Sequence, residues 1–474
     1  MFDIVIRGGR AVTPQGVGDY DVAITGETIA AVAAPNAIPD DAAKRIIDAS
    51  GMIVMPGGID PHVHCAWHMP LPDGSAMTSA PPEVVSRAAL WGGTTTLIDF
   101  AARMEPMPLK DVIQKRDLDW AGKCYCDYAY HLMLLGDIPP EVFEELPDRI
   151  ADGYPTVKIF TTNITPNRAG RMVHFGDLWE LFKTLTRAGG LGVIHAEDND
   201  IVMHMYEKLI REGRVSFHNL AEVHNALSED LSFRRVLRLA EAEKTALYMM
   251  HVSAATGVQA IREARAKGQA VYGETLHQYL LYTAEDYKRP NGQMFHTYPS
   301  LKSQQDQDGL WAGTRDGAIS CVATDEVCCS LNIKTIGDRI DDTTGGNSGV
   351  EPRVGVLYDE MVTRRGYSLE AFVDQVSSNA ARIMGLYPRK GAIAAGSDAD
   401  ICILDPSVRG EVRNENLHES DYTPWEGHPI TGWPKLTMLR GKVMVEDGAF
   451  LGDLEDGRYL KRGIPESIRS GPSI

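Results

Sequence analysis

Short β-rich apolar runs alternate with amphipathic helical stretches through the middle of this chain, and no other feature narrows the possible folds so far. The runs are "TTTLIDFA" (94–101), "DYAYHLMLL" (127–135), "TVKIFTT" (156–162), "LGVIHA" (191–196), "ALYMMHVS" (246–253), "QAVYGET" (269–275) and "AISCVATD" (318–325). Between them lie stretches of helical period such as "PLKDVIQKRDLDWAG", "FGDLWELFKTLTRAGG", "SEDLSFRRVLRLAEAE" and "TGVQAIREARAKG". With the run that ends in "IDPHVH", the count is eight strands with helices between most of them. Strands joined through helices run parallel. Eight such units point to a (β/α)8 TIM barrel and away from an open doubly wound sheet.

The two ends of the chain have a different rhythm. Residues 1–54 hold short alternating strands and Gly-rich turns, as in "DIVIRGG" and "YDVAITGETIAAVAA", with no long helical pattern. Strands return after residue 388 in "KGAIAAGSDADICILDP" and "LTMLRGKVMVEDGAF". The simplest organisation pairs residues 1–54 with 388–455 as one small β-domain and inserts the barrel, 55–387, between them. The polar, Gly/Pro-rich residues 456–474 read as a tail lying on the surface or on a neighbouring subunit.

Bulk properties set outer bounds. A net charge of -18 argues against nucleic acid as a partner, because phosphates would be repelled. No apolar run approaches the twenty or so residues of a membrane helix, and "MFDIVIRGGRAVTP" reads as strand and turn, not as a secretory leader. Seven cysteines without regular spacing make no disulfide framework. Reduced, buried thiols in a cytoplasmic protein are the expectation.

A barrel of this kind does its chemistry at the C-terminal ends of its strands. There the sequence places His62 and His64 after the first strand, Lys158 on the fourth, His195 on the fifth, His251 on the sixth and Asp325 on the eighth. Singly, each has an ordinary reading: a strand histidine is more often a hydrogen-bonded structural residue, and a strand lysine can snorkel to the rim. Lys158 inside "TVKIFTT" is harder to explain this way, since burying an unpaired ammonium is costly or forces deprotonation. A neutral amine can take up carbon dioxide and become a carbamate, an anionic ligand with two oxygens. Together the six residues make a two-metal ligand set. His62, His64 and Asp325 would hold one ion and His195 and His251 the other, with N6-carboxylated Lys158 bridging. Imidazole and carboxylate suit zinc, with manganese or iron as alternatives. Paired ions of this type share a hydroxide that is nucleophilic at neutral pH.

The ordered motifs "GGIDPHVH", "VKIF", "VIHAEDND", "YMMHVSAATG" and "VATDEVCC" resemble the cyclic-amidase branch of the amidohydrolase superfamily, and within it the dihydropyrimidinases and D-hydantoinases. The likeness spans nearly the whole chain. It implies a composite β-sandwich around a TIM barrel, two divalent ions held by the six residues above, and a homotetramer or homodimer acting on a small cyclic amide. It also implies that Asp325 serves as general base and then general acid.

Some positions depart from the family pattern. Asn163 stands where a tyrosine that hydrogen-bonds the oxyanion is expected, and Glu326 replaces a histidine. Gly345 aligns with a substrate-binding asparagine, with Asn347 two residues on. Tyr298 takes the place of a serine, and the longer "HCAWHMP" loop brings in His68. Asn163, Tyr298, Asn347 and His68 are therefore the candidate substrate contacts, and the ring opened need not be dihydrouracil or a simple hydantoin. The competing readings are hydrolysis of a non-cyclic amide, deamination of a heterocycle, and a non-catalytic scaffold. Lys158 speaks against the deaminase and the full ligand set against the scaffold.

Overall fold

The computed structural model describes residues 1–71 and 74–474. At its centre eight strands run parallel in sequence order: β1 (Gly58–Asp60), β2 (Thr94–Ala102), β3 (Asp127–Met133), β4 (Thr156–Phe160), β5 (Leu191–His195), β6 (Leu247–Met249), β7 (Val271–Leu276) and β8 (Ile319–Ala323). Residues of β3 to β8 are buried throughout, because helices cover one face and the barrel interior the other. Just past their ends β8 and β1 are joined: His64 N–H donates to the Glu326 carbonyl (2.8 Å) and Glu326 N–H to the His62 carbonyl (3.2 Å). Those bonds draw the two edge strands together, so the expected TIM barrel is present.

The helices fall where the apolar period placed them, at Leu109–Trp120, Phe175–Ala188, Ala226–Glu243 and Ala255–Ala266. Proline sits in the first turn of Pro82–Trp91 and of Pro140–Ala151, where its missing N–H costs nothing. Before β8, Gln304–Asp316 starts at a reciprocal Ser303–Asp306 capping box.

The ends of the chain meet as expected. Ile53–Pro56, from the N-terminal segment, pairs antiparallel with Ile401–Glu411, from the C-terminal one, inside a seven-stranded sheet. A four-stranded sheet that includes Phe2–Arg7 packs over it through Ile4, Ile6, Ile24, Ile401 and Met438. The Lys390 ammonium ties this composite sandwich to the barrel, lying 2.6 Å from Asp127 and 2.7 Å from Asp400, with Arg440 also on Asp127. The C-terminal stretch does not simply rest on the surface. It runs back along the barrel floor, burying Leu460, Ile464 and Ile468, and Arg462 reaches the Thr156 hydroxyl at the start of β4. Among the described residues no helix is long and apolar enough to cross a membrane.

Candidate active site

All six of the expected chemistry-bearing residues line one cavity at the C-terminal end of the barrel. The backbone bends sharply to aim two of them: His251 (φ +35°) and Asp325 (φ +53°) adopt the left-handed conformation that non-glycine residues rarely take. Such strain persists where surrounding structure enforces it and is frequent at functional sites.

His62, His64 and Asp325 present donor atoms within 4.8 Å of one another. Asp325 Oδ1 lies 3.0 Å from His62 Nε2 and 3.2 Å from His64 Nε2, and Oδ2 accepts from the Thr297 hydroxyl at 3.0 Å. Burial would raise the Asp325 carboxyl, but His62 and His64 beside it hold it well below the usual range. Burial would lower the His62 imidazolium, yet Asp325 and Glu274 outweigh that and bring it up to about 9. A proton shared between His62 and Asp325 thus stands where this donor set favours a cation. His64 Nδ1 is buried without a partner among the described residues.

The rings of His195 and His251 meet edge to face, 4.5 Å apart, and His251 lies 5.5 Å from His62. Burial pushes His195 down to about 4 and His251 well below its ordinary value, which leaves both as the neutral imidazole that binds metals. Lys158 is 1% exposed and, among the described residues, has no carboxylate within ion-pair distance. Its Nζ donates to Met250 Sδ at 2.8 Å and lies 4.8 Å from the Phe160 ring centre. Burial, only partly offset by Asp325, brings its ammonium down to about 7. Buried neutral imidazoles, an ionised carboxylate and an amine stripped of counter-ions form a donor set that fits divalent ions.

Two carboxylates behind the cavity were not identified from sequence. Glu274 accepts from His62 Nδ1 (2.8 Å), from the Tyr248 hydroxyl (2.7 Å) and from the His251 backbone N–H (3.1 Å). Glu197 bonds His195 Nε2 (2.9 Å) and His224 Nδ1 (2.8 Å). Each fixes a ring orientation and tautomer, so His62 turns Nε2 and His195 turns Nδ1 toward the cavity. The glutamate of "HAED", two residues beyond a candidate ligand, was the available signal for Glu197; nothing local marks Glu274.

The four candidate substrate contacts divide. Tyr298 lines the cavity; its hydroxyl donates to the Thr343 carbonyl at 3.3 Å and also meets the Tyr206 hydroxyl. Asn163 is spent on its own loop, its Oδ1 accepting from the backbone of Arg171 and Met172 at 3.0 Å each; Ile164 faces the cavity instead. Asn347 is fully buried behind the end of β8, with Nδ2 on the Thr324 carbonyl. His68 is exposed on the ribbon His68–Pro70, whose alternation turns its neighbours Trp67 and Met69 inward. Glu326 holds the rim together. Its carboxylate accepts from the Gly349 and Val350 backbone N–H groups while its own backbone closes the barrel.

Comparison with known proteins shows the family to which the chain belongs. A sequence model of the amidohydrolase family matches residues 53–444. The D-hydantoinase of Geobacillus stearothermophilus is 35% identical over 471 residues, covering 97% of this chain and 96% of that protein. The D-hydantoinase of Ralstonia pickettii is 34% identical, covering 97% and 99%. The crystal structure of dihydropyrimidinase from Brevibacillus agri superposes with a TM-score of 0.90 at 32% identity, over 98% of this chain and 99% of that one.

Proposed function

The chain belongs to the amidohydrolase family, within its D-hydantoinase and dihydropyrimidinase branch, and on that premise we propose that it opens the amide bond of a cyclic amide or imide with the help of two divalent metal ions. The observation that carries the reading is Lys158, fully buried among histidines with no carboxylate among the described residues to neutralise it. As an N6-carboxylate it would bridge two ions, most simply zinc, one held by His62, His64 and Asp325 and the other by His195 and His251. Such ions, when bound, lower the pKa of water and polarise the scissile carbonyl.

The protein's own groups supply the proton path and the orientation. Asp325 is ionised and fixed by His62, His64 and Thr297, so it is poised to accept a proton from the attacking water as oxygen adds to the ring carbonyl. It then returns that proton to the ring nitrogen as the carbon–nitrogen bond breaks, so the nitrogen leaves as a neutral amide or amine. Tyr298 is better placed than Asn163 to serve the oxyanion, because it lines the cavity while the Asn163 amide oxygen is bonded into its own loop. Trp67, Met69, Ile164 and Val327 give the ring an apolar seat that excludes water.

The test is a panel of hydantoins, dihydropyrimidines, cyclic imides and lactams offered to metal-loaded protein, with open-chain amides and aminoheterocycles alongside. Ring opening of at least one cyclic amide supports the proposal. Turnover confined to open-chain amides, or release of ammonia from an aminoheterocycle, refutes it.

A further inference from the structure

The cavity contains a feature that ring opening does not require. Arg168 and Arg171, on the loop after β4, both line it and are both half-buried. Among the described residues neither guanidinium has a carboxylate within 4.0 Å or donates a side-chain hydrogen bond. Each is only stacked, Arg168 5.2 Å from the Tyr298 ring centre and Arg171 5.5 Å from that of Phe160. Buried arginines elsewhere in this chain are treated differently. Arg116 binds Asp99, Arg440 binds Asp127, Arg353 donates to the Val322 carbonyl and Arg462 to the Thr156 hydroxyl. A guanidinium carries five donors in a planar fork matched to a carboxylate, and removing it from water without a partner is costly. Burial, then the neighbouring Arg168, bring Arg171 down to about 9.

Among the described residues the nearby acids do not answer these charges. Asp341 and Asp342 line the adjoining recess that Arg168 shares, but Asp341 is paired with the Arg339 guanidinium and Asp342 with the Arg339 backbone N–H. Asp325 is engaged by His62, His64 and Thr297. The chain as a whole is strongly acidic, so its far field repels anions while this cavity mouth attracts them.

We propose that Arg171 and Arg168 select an anionic substrate, a cyclic amide whose ring substituent carries a carboxylate. The identification of the ring as the reacting group rests on the hydrolase reading above, whereas the anion preference rests on two guanidiniums that have no carboxylate partner among the described residues. Arg171, which shares the Phe160 ring with Lys158, meets the carboxylate nearest the chemistry, and Arg168 meets it beside Tyr298. The substrate ring then lies against the apolar seat, and the anchored arm sets which face is presented to Asp325.

Binding and turnover test this separately. The binding probe is a five-membered cyclic urea with a carboxymethyl arm, which lacks the imide carbonyl and is not consumed, compared by calorimetry with its neutral carboxamide on the metal-loaded protein. The acid should bind roughly 10–100-fold more tightly than the amide, as charge-assisted pairing predicts. That ratio should fall toward one in Arg171→Gln and in the Arg168→Gln/Arg171→Gln double variant, with circular dichroism confirming the fold. Equal binding of acid and amide, or a preference that survives in the double variant, overturns the proposal. Turnover is then measured with hydantoin-5-acetic acid and its carboxamide. Faster opening of the carboxamide also overturns the anion preference while leaving the hydrolase reading intact. Selective binding of the acid with neither ring opened supports the anion site and excludes the hydantoin ring, and the hydrolase reading then stands or falls on the panel above.

Discussion

Replacing Lys158 with methionine is expected to stabilise the metal-free protein, although it removes a group on which activity should depend. The lysine is 1% exposed, its amine meets a thioether and two aromatic faces, and burial brings its ammonium from 10.5 to about 7. A tenfold loss of proton affinity on folding corresponds to about 1.4 kcal/mol, so carrying the charge in the fold costs on the order of 3–5 kcal/mol. Between pH 7 and 10.5 the unfolded chain binds a proton that the folded chain does not, so stability rises with pH through that window. At pH 7 and below, nearly the whole penalty is present. Metal-free Lys158→Met should therefore resist heat or urea better than the metal-free parent at pH 6–7, and the advantage should vanish as pH approaches 10.5. Zinc with bicarbonate should reverse the order, since only the lysine can become the anionic bridge. A variant no more stable than the parent at pH 6–7, or an offset independent of pH, would show that Lys158 carries no charge penalty in the fold.

Other perturbations read different parts of the site. Asp325→Asn should keep much of its bound metal yet lose about two to four orders of magnitude in kcat, measured by metal analysis beside steady-state kinetics. Glu197→Gln should weaken metal retention about 10–100-fold in chelator competition, because His195 loses the partner that orients it. Tyr298→Phe should lower kcat by about 10²–10³ with little change in KM if its hydroxyl serves the oxyanion; an equal rise in KM with kcat unchanged would assign it to ground-state binding instead.

The barrel was legible because parallel strands buried on both faces leave short apolar runs, and the intervening helices leave a 3.6-residue period. The cluster of His62, His64, Lys158, His195, His251 and Asp325 was legible for a related reason: a residue at the C-terminal end of a barrel strand has one rim to face. Loop residues have no such rule. Asn163 was expected to face substrate, but its amide is drawn back to bond the turn at Arg171 and Met172. His68 and Met69 are neighbours, and the pleat of a short ribbon decides that the methionine points inward. Glu274 was hidden in "QAVYGET" because its importance lies in touching His62 from more than two hundred residues away. Arg168 and Arg171 look like ordinary surface cations in "PNRAGR", and only their place in the cavity wall, without a carboxylate partner among the described residues, distinguishes them.

If this donor set holds two metal ions, counting them decides the matter. Protein purified after growth with supplemental zinc, then dialysed against buffer without chelator, should contain close to two divalent ions per chain by plasma mass spectrometry. In Lys158→Met the count should fall, because the bridge is gone. One ion per chain in the parent protein, or none, would show that the six residues do not hold a pair of ions.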